Sequence, residues 1–389
     1  MGGEVIIEGL LEIGIKVIGK IAQVVLDEDP HDIPVTVKKN KPEISMRAKK
    51  RIQKAARIIN NGGLVAFPTE TVYGLGADAF NAQAVERIYT AKGRPGDNPL
   101  ILHIATIEQF MELAEDLPYY VASLIDVYWP GPLTLIAKKK SHLPSWVGGH
   151  PQNNTDTIGV RMPSHPVAKA FLMAAGCPVA APSANKSGRP SPTTSQHVKD
   201  DFEATGEVDM ILDGKGADIG IESTVVDITG SQPGILRPGV ITEKMIRAAA
   251  KVELADAKGA ENTVVPRSPG MKYRHYAPKA PMVILKGQSS DVATYILNEY
   301  NKAPEGEQIG LLITELTKNA LAGQPLPDAK IKNLSQNHIR VAQNLFAQLR
   351  DFDTLGVTKI YAEAVTDDGI GVAIMDRMLK AAEGNVVNV

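Results

Sequence analysis

The sequence predicts an α/β protein of two domains, a mixed and at least partly antiparallel sheet followed by a smaller parallel sheet. Three observations support this prediction. The chain has 389 residues, whereas one domain usually contains about 100–200. Short apolar runs alternate with helical patterns up to residue 250, and residues 251–281 then show little hydrophobic periodicity. Beyond that segment strands and helices alternate, which is typical of a parallel sheet.

The first 45 residues form an extension before these domains. The stretch from Glu4 to Leu26 is rich in Val, Ile and Leu, but charges recur at every fourth position. The charged residues are Glu8, Glu12, Lys16 and Lys20. Their spacing predicts an amphipathic helix that docks on its own domain or on a partner chain, with membrane-surface attachment as the alternative. The charges argue against a membrane span, and early acids argue against a signal peptide.

The first domain is predicted over residues 46–250. Arg47–Asn60 places its apolar residues on one helical face, and two glycines follow it. Asn81 and Thr242 are predicted N-caps, and Thr106 with Gln109 matches a capping box. The remaining elements are a helix over Val167–Ala175 closed by Gly176 and strands at Leu64–Phe67, Leu100–Ala105, Leu133–Ala137, Thr157–Arg161, Pro178–Ala181, Asp209–Leu212 and Ser223–Ile228.

The second domain is predicted over residues 282–389, after a linker at 251–281. Its strands are "PMVILK", "IGLLIT" and "KIYAEAV", and its helices are Asp291–Tyr300, His338–Phe352 and Gly371–Ala382. This order indicates a small Rossmann-like parallel sheet. No G-x-G-x-x-G motif follows the first strand, so no dinucleotide site is predicted.

Composition narrows the function classes. Lys and Arg total 42 against 44 Asp and Glu, which argues against a protein held on nucleic acid mainly by overall charge. The single cysteine, Cys177, excludes intrachain disulfides and multi-cysteine zinc sites, and it predicts a cytoplasmic location. The chain contains no P-loop, kinase signature, G-x-S-x-G elbow or HExxH motif.

The stretch "TAKGRPGDNPLILHI" carries the strongest chemical signal. Lys92 and Arg94 flank a glycine where a helix is predicted to end, and Pro and Gly residues then form a loop that contains Asn98. An arginine fork and a lysine point charge together suit phosphate oxygens. A basic helix end that only complements the helix dipole is the alternative.

Other polar groups stand at predicted strand ends. "VAAPSANKSGRPSPT" follows a buried strand with hydroxyl and amide groups that could orient a ligand, although they could equally stabilise a polar turn. Arg161 and Arg237 also lie at element ends and could be structural ion pairs. Taken with Lys92 and Arg94, they favour a site for several negative groups. "VAFPTETVYGLGADAF" adds the hydroxyls of Thr69, Thr71 and Tyr73 beside a predicted buried strand.

These motifs closely resemble one known family. "FPTETVYGLGADA", "KGRPGDNPLILHI", "WPGPLTLI", "IGVRMPSHP", "APSANKSGRPSPT", "ESTVVDI" and "ILRPG" resemble the YrdC-like threonylcarbamoyl-AMP synthases, in the two-domain form with a "SPGMKYRHYAP" linker. The resemblance runs in order from about Arg47 to the C-terminus. It implies a twisted mixed sheet with a concave, positively lined face, plus a Rossmann-like C-terminal domain.

The resemblance also implies a nucleotidyltransferase reaction. L-Threonine, bicarbonate and ATP, bound with Mg²⁺, would give threonylcarbamoyl-AMP and pyrophosphate, without a tightly bound protein metal. A separate transferase complex would then modify tRNA beside the anticodon. Stable membrane binding is not expected.

Residue roles follow from the same resemblance. It implies Lys92 and Arg94 as the catalytic pair at the triphosphate. The implied ATP contacts are Arg94, Asn98, Thr157, Ser183, Asn185, Ser191, Arg237 and, as a gate in the linker, Tyr273. The implied threonine contacts are Thr71, His103, Arg161, Ala181 and Ser223, with Arg161 as the carboxylate partner. The resemblance also implies that Thr69 and Thr71 bind a small polar substrate and that Tyr73 helps to wall its pocket.

Two other functions are compatible with parts of this pattern. One is a carbamoyl-adenylate-forming maturation enzyme, but such enzymes carry Cys-rich zinc fingers that a chain with only Cys177 lacks. The other is a structured-RNA-binding module, whose affinity should fall steeply with salt.

Overall fold

The structure is a computed structural model that describes residues 44–255, 275–324, 326 and 329–389. The chain folds into two compact units. Among the described residues, the first unit comprises 44–186, 192–218 and 222–255, and the second comprises 187–191, 219–221 and residues from 275 onward. The predicted N-terminal helix lies outside the described residues.

The first unit is a mixed sheet covered by helices. Its helices are α1 (Met46–Asn60), α2 (Ala82–Lys92), α3 (Ile107–Leu113), α4 (Tyr120–Tyr128), α5 (Pro166–Ala175), α6 (Ser195–Phe202) and α7 (Glu243–Ala250). Its strands are β1 (Val65–Phe67), β2 (Gly74–Asp78), β3 (Ile101–His103), β4 (Ala114–Glu115), β5 (Leu133–Lys139), β6 (Thr157–Arg161), β7 (Val179–Ala180), β8 (Met210–Ile211), β9 (Thr224–Asp227) and β10 (Gly234–Arg237).

The strands run in the order β10-β9-β5-β6-β3-β7-β2-β1-β8, with β4 paired to β5. The pairs β9/β5, β6/β3 and β1/β8 are parallel, and the other neighbours along this path are antiparallel. Successive side chains of β1 point to opposite faces of the sheet, and each face is covered by its own apolar core. Val65 and Phe67 pack with α1 and α5, whereas Ala66 faces the core that includes α2, α3 and α4.

Local sequence signals explain several helix ends. Asn81 accepts a hydrogen bond from the backbone N–H of Ala84, as expected for an N-cap. Gly93 closes α2 with φ +62°, a left-handed conformation that favours glycine. The Thr106 hydroxyl accepts from Gln109 N, and the Gln109 side chain accepts from Ala105 N. These contacts fix the ends of the elements that carry the candidate site residues.

The second unit contains a parallel five-stranded sheet in the order β13-β12-β14-β11-β15. Its strands are β11 (Met282–Lys286), β12 (Ile309–Ile313), β13 (Lys330–Asn333), β14 (Lys359–Glu363) and β15 (Val386–Asn388). Its helices are α8 (Ser289–Lys302), α9 (Glu315–Ala320), α10 (His338–Thr354) and α11 (Gly371–Ala381). In the described ranges, no helix combines the length and apolar character required to cross a membrane.

The predicted fold class is confirmed, because a large mixed sheet and a separate parallel sheet are both present. The sequence prediction omitted β2, β4, α4, α6 and β10 from the first unit, and α9, β13 and β15 from the second. Of these, β2 matters most for function, because it pairs with both β1 and β7 directly after the Pro-Thr-Glu-Thr stretch.

Candidate active site

Strand register brings the predicted threonine-binding residues into one row across the sheet. Arg161, the last residue of β6, is paired with His103 on β3 and with Thr134 on β5. Ser223 immediately precedes β9, and its hydroxyl lies 2.8 Å from the Thr134 hydroxyl. Ala181 follows β7 and donates its N–H to Ile101 O on β3. The row therefore collects residues from five neighbouring strands.

Arg161 is the central cation of this row and is 4% exposed. Its Nη1 donates to the Thr71 hydroxyl at 2.8 Å, and its Nε donates to Gly131 O at 3.4 Å. Its Nη2 lies 2.8 Å from Glu70 Oε1. Arg161 therefore already has a carboxylate partner within the protein. A guanidinium has five N–H donors, so capacity for a bound carboxylate remains.

Glu70 is the fully buried counter-ion of this arginine. Its second carboxylate oxygen accepts from Ser164 N at 3.1 Å. Burial is the largest single influence and would raise the pKa of Glu70, but the Arg161 charge together with hydrogen bonds from Arg161 and from backbone N–H groups holds the pKa below its usual value. Glu70 is therefore ionised at neutral pH, and the pair is neutral as a whole.

The threonine hydroxyls beside Glu70 do not share one role. The Thr69 hydroxyl donates to Val72 O at 2.6 Å and lies 2.9 Å from the Thr71 hydroxyl. It also accepts from the backbone N–H groups of Thr71 and Val72. Turn contacts occupy the Thr69 hydroxyl, so the predicted contact of Thr69 with substrate would require one of them to break. Thr71 accepts from Arg161 and stays in the candidate site.

Tyr73 is 0% exposed and belongs to an apolar core. Its hydroxyl accepts from Gly214 N at 3.2 Å. Thr71 and Ser223 are equally buried, so the pocket role of Tyr73 stays a prediction.

His103 is buried against the same arginine. Burial, assisted by the Arg161 charge, lowers the pKa of His103 to about 3. Its Nδ1 lies 3.2 Å from Ile101 O, and its ring meets Phe67 edge-on. His103 is therefore neutral at physiological pH and contributes a dipole to the site.

Ser223 connects the threonine row to a residue assigned to ATP. Arg237 donates to Ser223 O from Nε at 3.2 Å and from Nη2 at 3.0 Å. The same Nη2 reaches the Ser223 hydroxyl at 3.2 Å. The two predicted subsites therefore meet at this serine.

Lys92 is buried at the end of its helix. It is the last residue of α2 and is 2% exposed. Its ammonium donates to Ser183 O at 2.6 Å and to Asn185 O. Lys92 thus joins the end of α2 to the loop that contains Ser183 and Asn185. Its substitution therefore also affects the folded structure.

Arg94 and Asn98 form a compact loop after Gly93. Arg94, also buried, donates to Asn98 O at 3.2 Å and to Pro99 O at 2.8 Å. Asn98 is 4% exposed, and its side-chain oxygen has no hydrogen-bond partner among the described residues. A buried acceptor of this kind suits a donor on a bound ligand.

The other predicted ATP contacts are Thr157, Ser191 and Tyr273. Thr157 begins β6 and Arg161 ends it, so their Cα atoms are about 13 Å apart at about 3.3 Å per residue. Ser191 is 1% exposed and belongs to the second unit. Tyr273 lies outside the described residues.

The sequence prediction missed three groups beside the row. Glu70 received no predicted role, although an inward arginine calls for an anionic partner. Thr134 lies in the apolar strand β5, where its sequence neighbours give no sign of a polar role. Lys169 on α5 is 6% exposed, and burial lowers its pKa to about 8 against the opposing influence of Glu70. The part of the chain that the structure describes contains no cluster of three or more His, Cys, Asp or Glu suited to a metal ion.

Comparison with known proteins identifies the family. A family profile described as "Telomere recombination" matches residues 57–239, and one described as "Threonylcarbamoyl-AMP synthase, C-terminal domain" matches 241–383. The threonylcarbamoyl-AMP synthase of Pyrococcus abyssi is 41% identical over 342 residues, 87% of this chain and 96% of that protein. The chain belongs to the threonylcarbamoyl-AMP synthase family. The Bacillus subtilis threonylcarbamoyl-AMP synthase is 42% identical over 337 residues, 87% of this chain and 94% of that protein.

A solved structure agrees with membership of the threonylcarbamoyl-AMP synthase family. The P. abyssi Sua5 structure complexed with L-threonine matches at a TM-score of 0.78 and 40% identity, covering 88% of this chain and 96% of that chain. The family resemblance inferred from the motifs is thereby confirmed. The similarity supports an ATP-using nucleotidyl-transfer enzyme rather than an RNA-binding module or a carbamoyl-adenylate-forming enzyme.

Proposed function

We propose that the protein condenses L-threonine, bicarbonate and ATP into L-threonylcarbamoyladenylate, releasing pyrophosphate. The observation that carries this proposal is the row of Thr71, His103, Arg161 and Ser223, brought together by strand register and by the hydrogen bonds of Thr71 and Ser223. The site offers hydroxyls, a neutral imidazole and a buried cation, which suit the hydroxyl, amine and carboxylate of threonine. The product would supply a downstream complex that modifies tRNA.

The chemistry requires positioning and charge stabilisation rather than a covalent protein intermediate. The threonine amine attacks the carbon of bicarbonate-derived CO₂ and loses a proton, giving N-carboxy-threonine. An oxygen of that carboxylate attacks the α-phosphorus of ATP, the bond to the bridging oxygen breaks, and pyrophosphate leaves. Preorganised cations lower the barrier to this transfer because negative charge moves onto the leaving group. ATP enters as its Mg²⁺ complex, so the metal comes with the substrate.

Residue roles in this proposal follow the contacts. Arg161, whose charge is partly neutralised by Glu70, orients the threonine carboxylate. The hydroxyls of Thr71 and Ser223 form hydrogen bonds with the bound amino acid. His103 and Ala181 complete the threonine subsite.

Lys92 holds the Ser183–Asn185 loop and adds positive potential for the triphosphate. Arg94, Asn98 and Arg237 serve the nucleotide with it. Thr157, Ser191 and Tyr273 complete the proposed nucleotide contacts, Tyr273 as a gate in the linker. We place the reaction in the cytoplasm, where ATP and threonine are available.

The test is pyrophosphate release from ATP in the presence of bicarbonate and Mg²⁺, with and without threonine. We expect release that depends on L-threonine and a product that yields AMP on hydrolysis. Serine is the matched control, because it lacks only the methyl group. Pyrophosphate release that is independent of any amino acid would contradict the proposal.

A further inference from the structure

Two short segments of the first domain's sequence make their contacts within the second unit. Ser187–Ser191 and Ile219–Ile221 belong to that unit, although the residues on either side of each segment belong to the first. Both segments lie next to proposed substrate residues. Ser191 is the last residue of the first segment, and Ser223 follows the second by two positions. What holds these segments therefore bears on the substrates.

Helix α10 holds the first segment through Arg350. This arginine is 6% exposed, and its Nε and Nη2 both donate to Pro190 O, at 3.1 and 2.6 Å. Two donors of a planar guanidinium thus converge on one carbonyl, directly before Ser191. Hydrogen bonds from a charged donor are stronger than neutral ones, and burial protects this one from competition by water.

Asp353, one turn farther along α10, fixes the same segment a second time. Its Oδ2 lies 2.9 Å from Arg189 Nη2, and the Asp353 side chain is 6% exposed. Its Oδ1 accepts from Lys279 N at 2.7 Å. Gly188 O accepts from Ala277 N at 2.9 Å. Residues 188, 189 and 190 are therefore each tied down by a hydrogen bond or an ion pair.

The second segment packs against the first half of α10. Gly220 has φ +81°, and a Cβ at this position would lie 2.3 Å from Ala342 O and 2.5 Å from Gln343 Cα. Neither backbone atom can withdraw without moving the helix. Glycine is thus required here both for its conformation and for the close approach.

We propose that helix α10 is a positioning element for ATP, with Arg350 and Asp353 setting the place of Ser191 within the second unit. This inference rests on the proposed role of Ser191 in ATP binding. It assigns to the second domain a direct effect on ATP affinity. A purely structural α10 would affect stability and leave the ATP affinity unchanged.

The test compares Arg350→Met with Arg350→Lys, which can still donate to Pro190 O, and with Arg340→Met, which alters an exposed arginine of the same helix. Steady-state pyrophosphate release gives separate KM values for ATP and threonine, and titration with ATP alone gives its Kd. We expect Arg350→Met to raise the ATP Kd and KM about tenfold while the threonine KM changes less than about twofold. Arg350→Lys should recover part of the loss, and Arg340→Met should match the unaltered protein.

A further variant separates the possible failures. Ser191→Ala should raise the ATP Kd by itself. If Ser191→Ala weakens ATP binding and Arg350→Met does not, the positioning role is refuted while the proposed function stands. If neither variant changes ATP binding, the ATP role of Ser191 fails and the inference falls with it. A folded Arg350→Met protein with lower stability but unchanged KM values would also overturn the inference.

Discussion

Replacing Glu70 with Gln should lower the free energy of unfolding, because it leaves the buried Arg161 without its charged partner. The substitution keeps the shape of the side chain and an acceptor for Ser164 N, but it removes the charge that faces Arg161. Glu70 and Arg161 are 2% and 4% exposed, so neither water nor another residue in the described contacts replaces that charge. Removing one partner of such a pair costs about 3–5 kcal/mol of unfolding free energy.

Denaturant unfolding followed by tryptophan fluorescence measures this loss. The chain has two tryptophans, Trp129 and Trp146, and both lie in the first unit, so the signal reports on the unit that contains the pair. Asp116→Asn is the matched control, because the Lys138–Asp116 pair has side chains 49% and 66% exposed. Exposed pairs contribute about 0–1 kcal/mol, so the control should be nearly neutral.

Threonine provides the sharper readout of the same variant. If its carboxylate binds Arg161, it supplies in Glu70→Gln the negative charge that the substitution removed. Saturating threonine should therefore stabilise Glu70→Gln by about 1.4 kcal/mol more than the unaltered protein, equal to about tenfold tighter binding. A Glu70→Gln protein within about 1 kcal/mol of the unaltered protein, or one with an unchanged response to threonine, would refute the reasoning.

Four further outcomes are expected. Lys92→Met should reduce synthesis. It should also lower the free energy of unfolding by about 1.5–3 kcal/mol for each charge-assisted hydrogen bond lost to the carbonyls of Ser183 and Asn185. If denaturant unfolding shows an inactive variant of unchanged stability, Lys92 acts on substrate alone. Asn98→Leu should weaken ATP binding about tenfold in titration without loss of stability, since its side-chain oxygen has no partner among the described residues. The pKa of His103 is about 6.5 in the unfolded chain and about 3 in the folded protein. As the solution is acidified from pH 6.5 to pH 3, the free energy of unfolding should therefore decrease by about 1.4 kcal/mol per pH unit. His103→Gln should flatten that fall, and an identical pH profile would contradict the lowered pKa. Deleting residues 1–41 should leave both KM values within about twofold, because no site motif lies there; an inactive but folded truncation would count against this.

Local signals predicted much of the fold, and tertiary contacts account for what they did not predict. Asn81, Gly93 and Gly176 mark helix ends because caps depend on neighbouring residues alone. Strand β2 escaped prediction because its glycines lower strand propensity. The structure needs them, since a Cβ on Gly76 would lie 2.7 Å from a Val179 methyl carbon. That requirement comes from a strand far away in the sequence.

The sequence predicted which residues form the candidate site, but it did not predict which of their side chains contact each other. The motifs identified Thr71, His103, Arg161 and Ser223. Strand register pairs His103 with Arg161, and hydrogen bonds attach Thr71 to Arg161 and Ser223 to Thr134 on the neighbouring strand. The partnership of Arg161 with Glu70 could not be read from spacing, because it depends on how the turn after β1 meets the end of β6. The burial of Lys92 likewise follows from the loop that packs over its helix end.

Several contacts that build the candidate site join distant parts of the chain. Arg161 and Thr71 are 90 residues apart, Lys92 and Asn185 are 93 apart, and Thr134 and Ser223 are 89 apart. Closing loops of this length before any favourable contact forms is slow, so such pairings arise late in folding. During refolding, helical circular dichroism should therefore recover before enzymatic turnover, and the return of turnover reports completion of the mixed sheet.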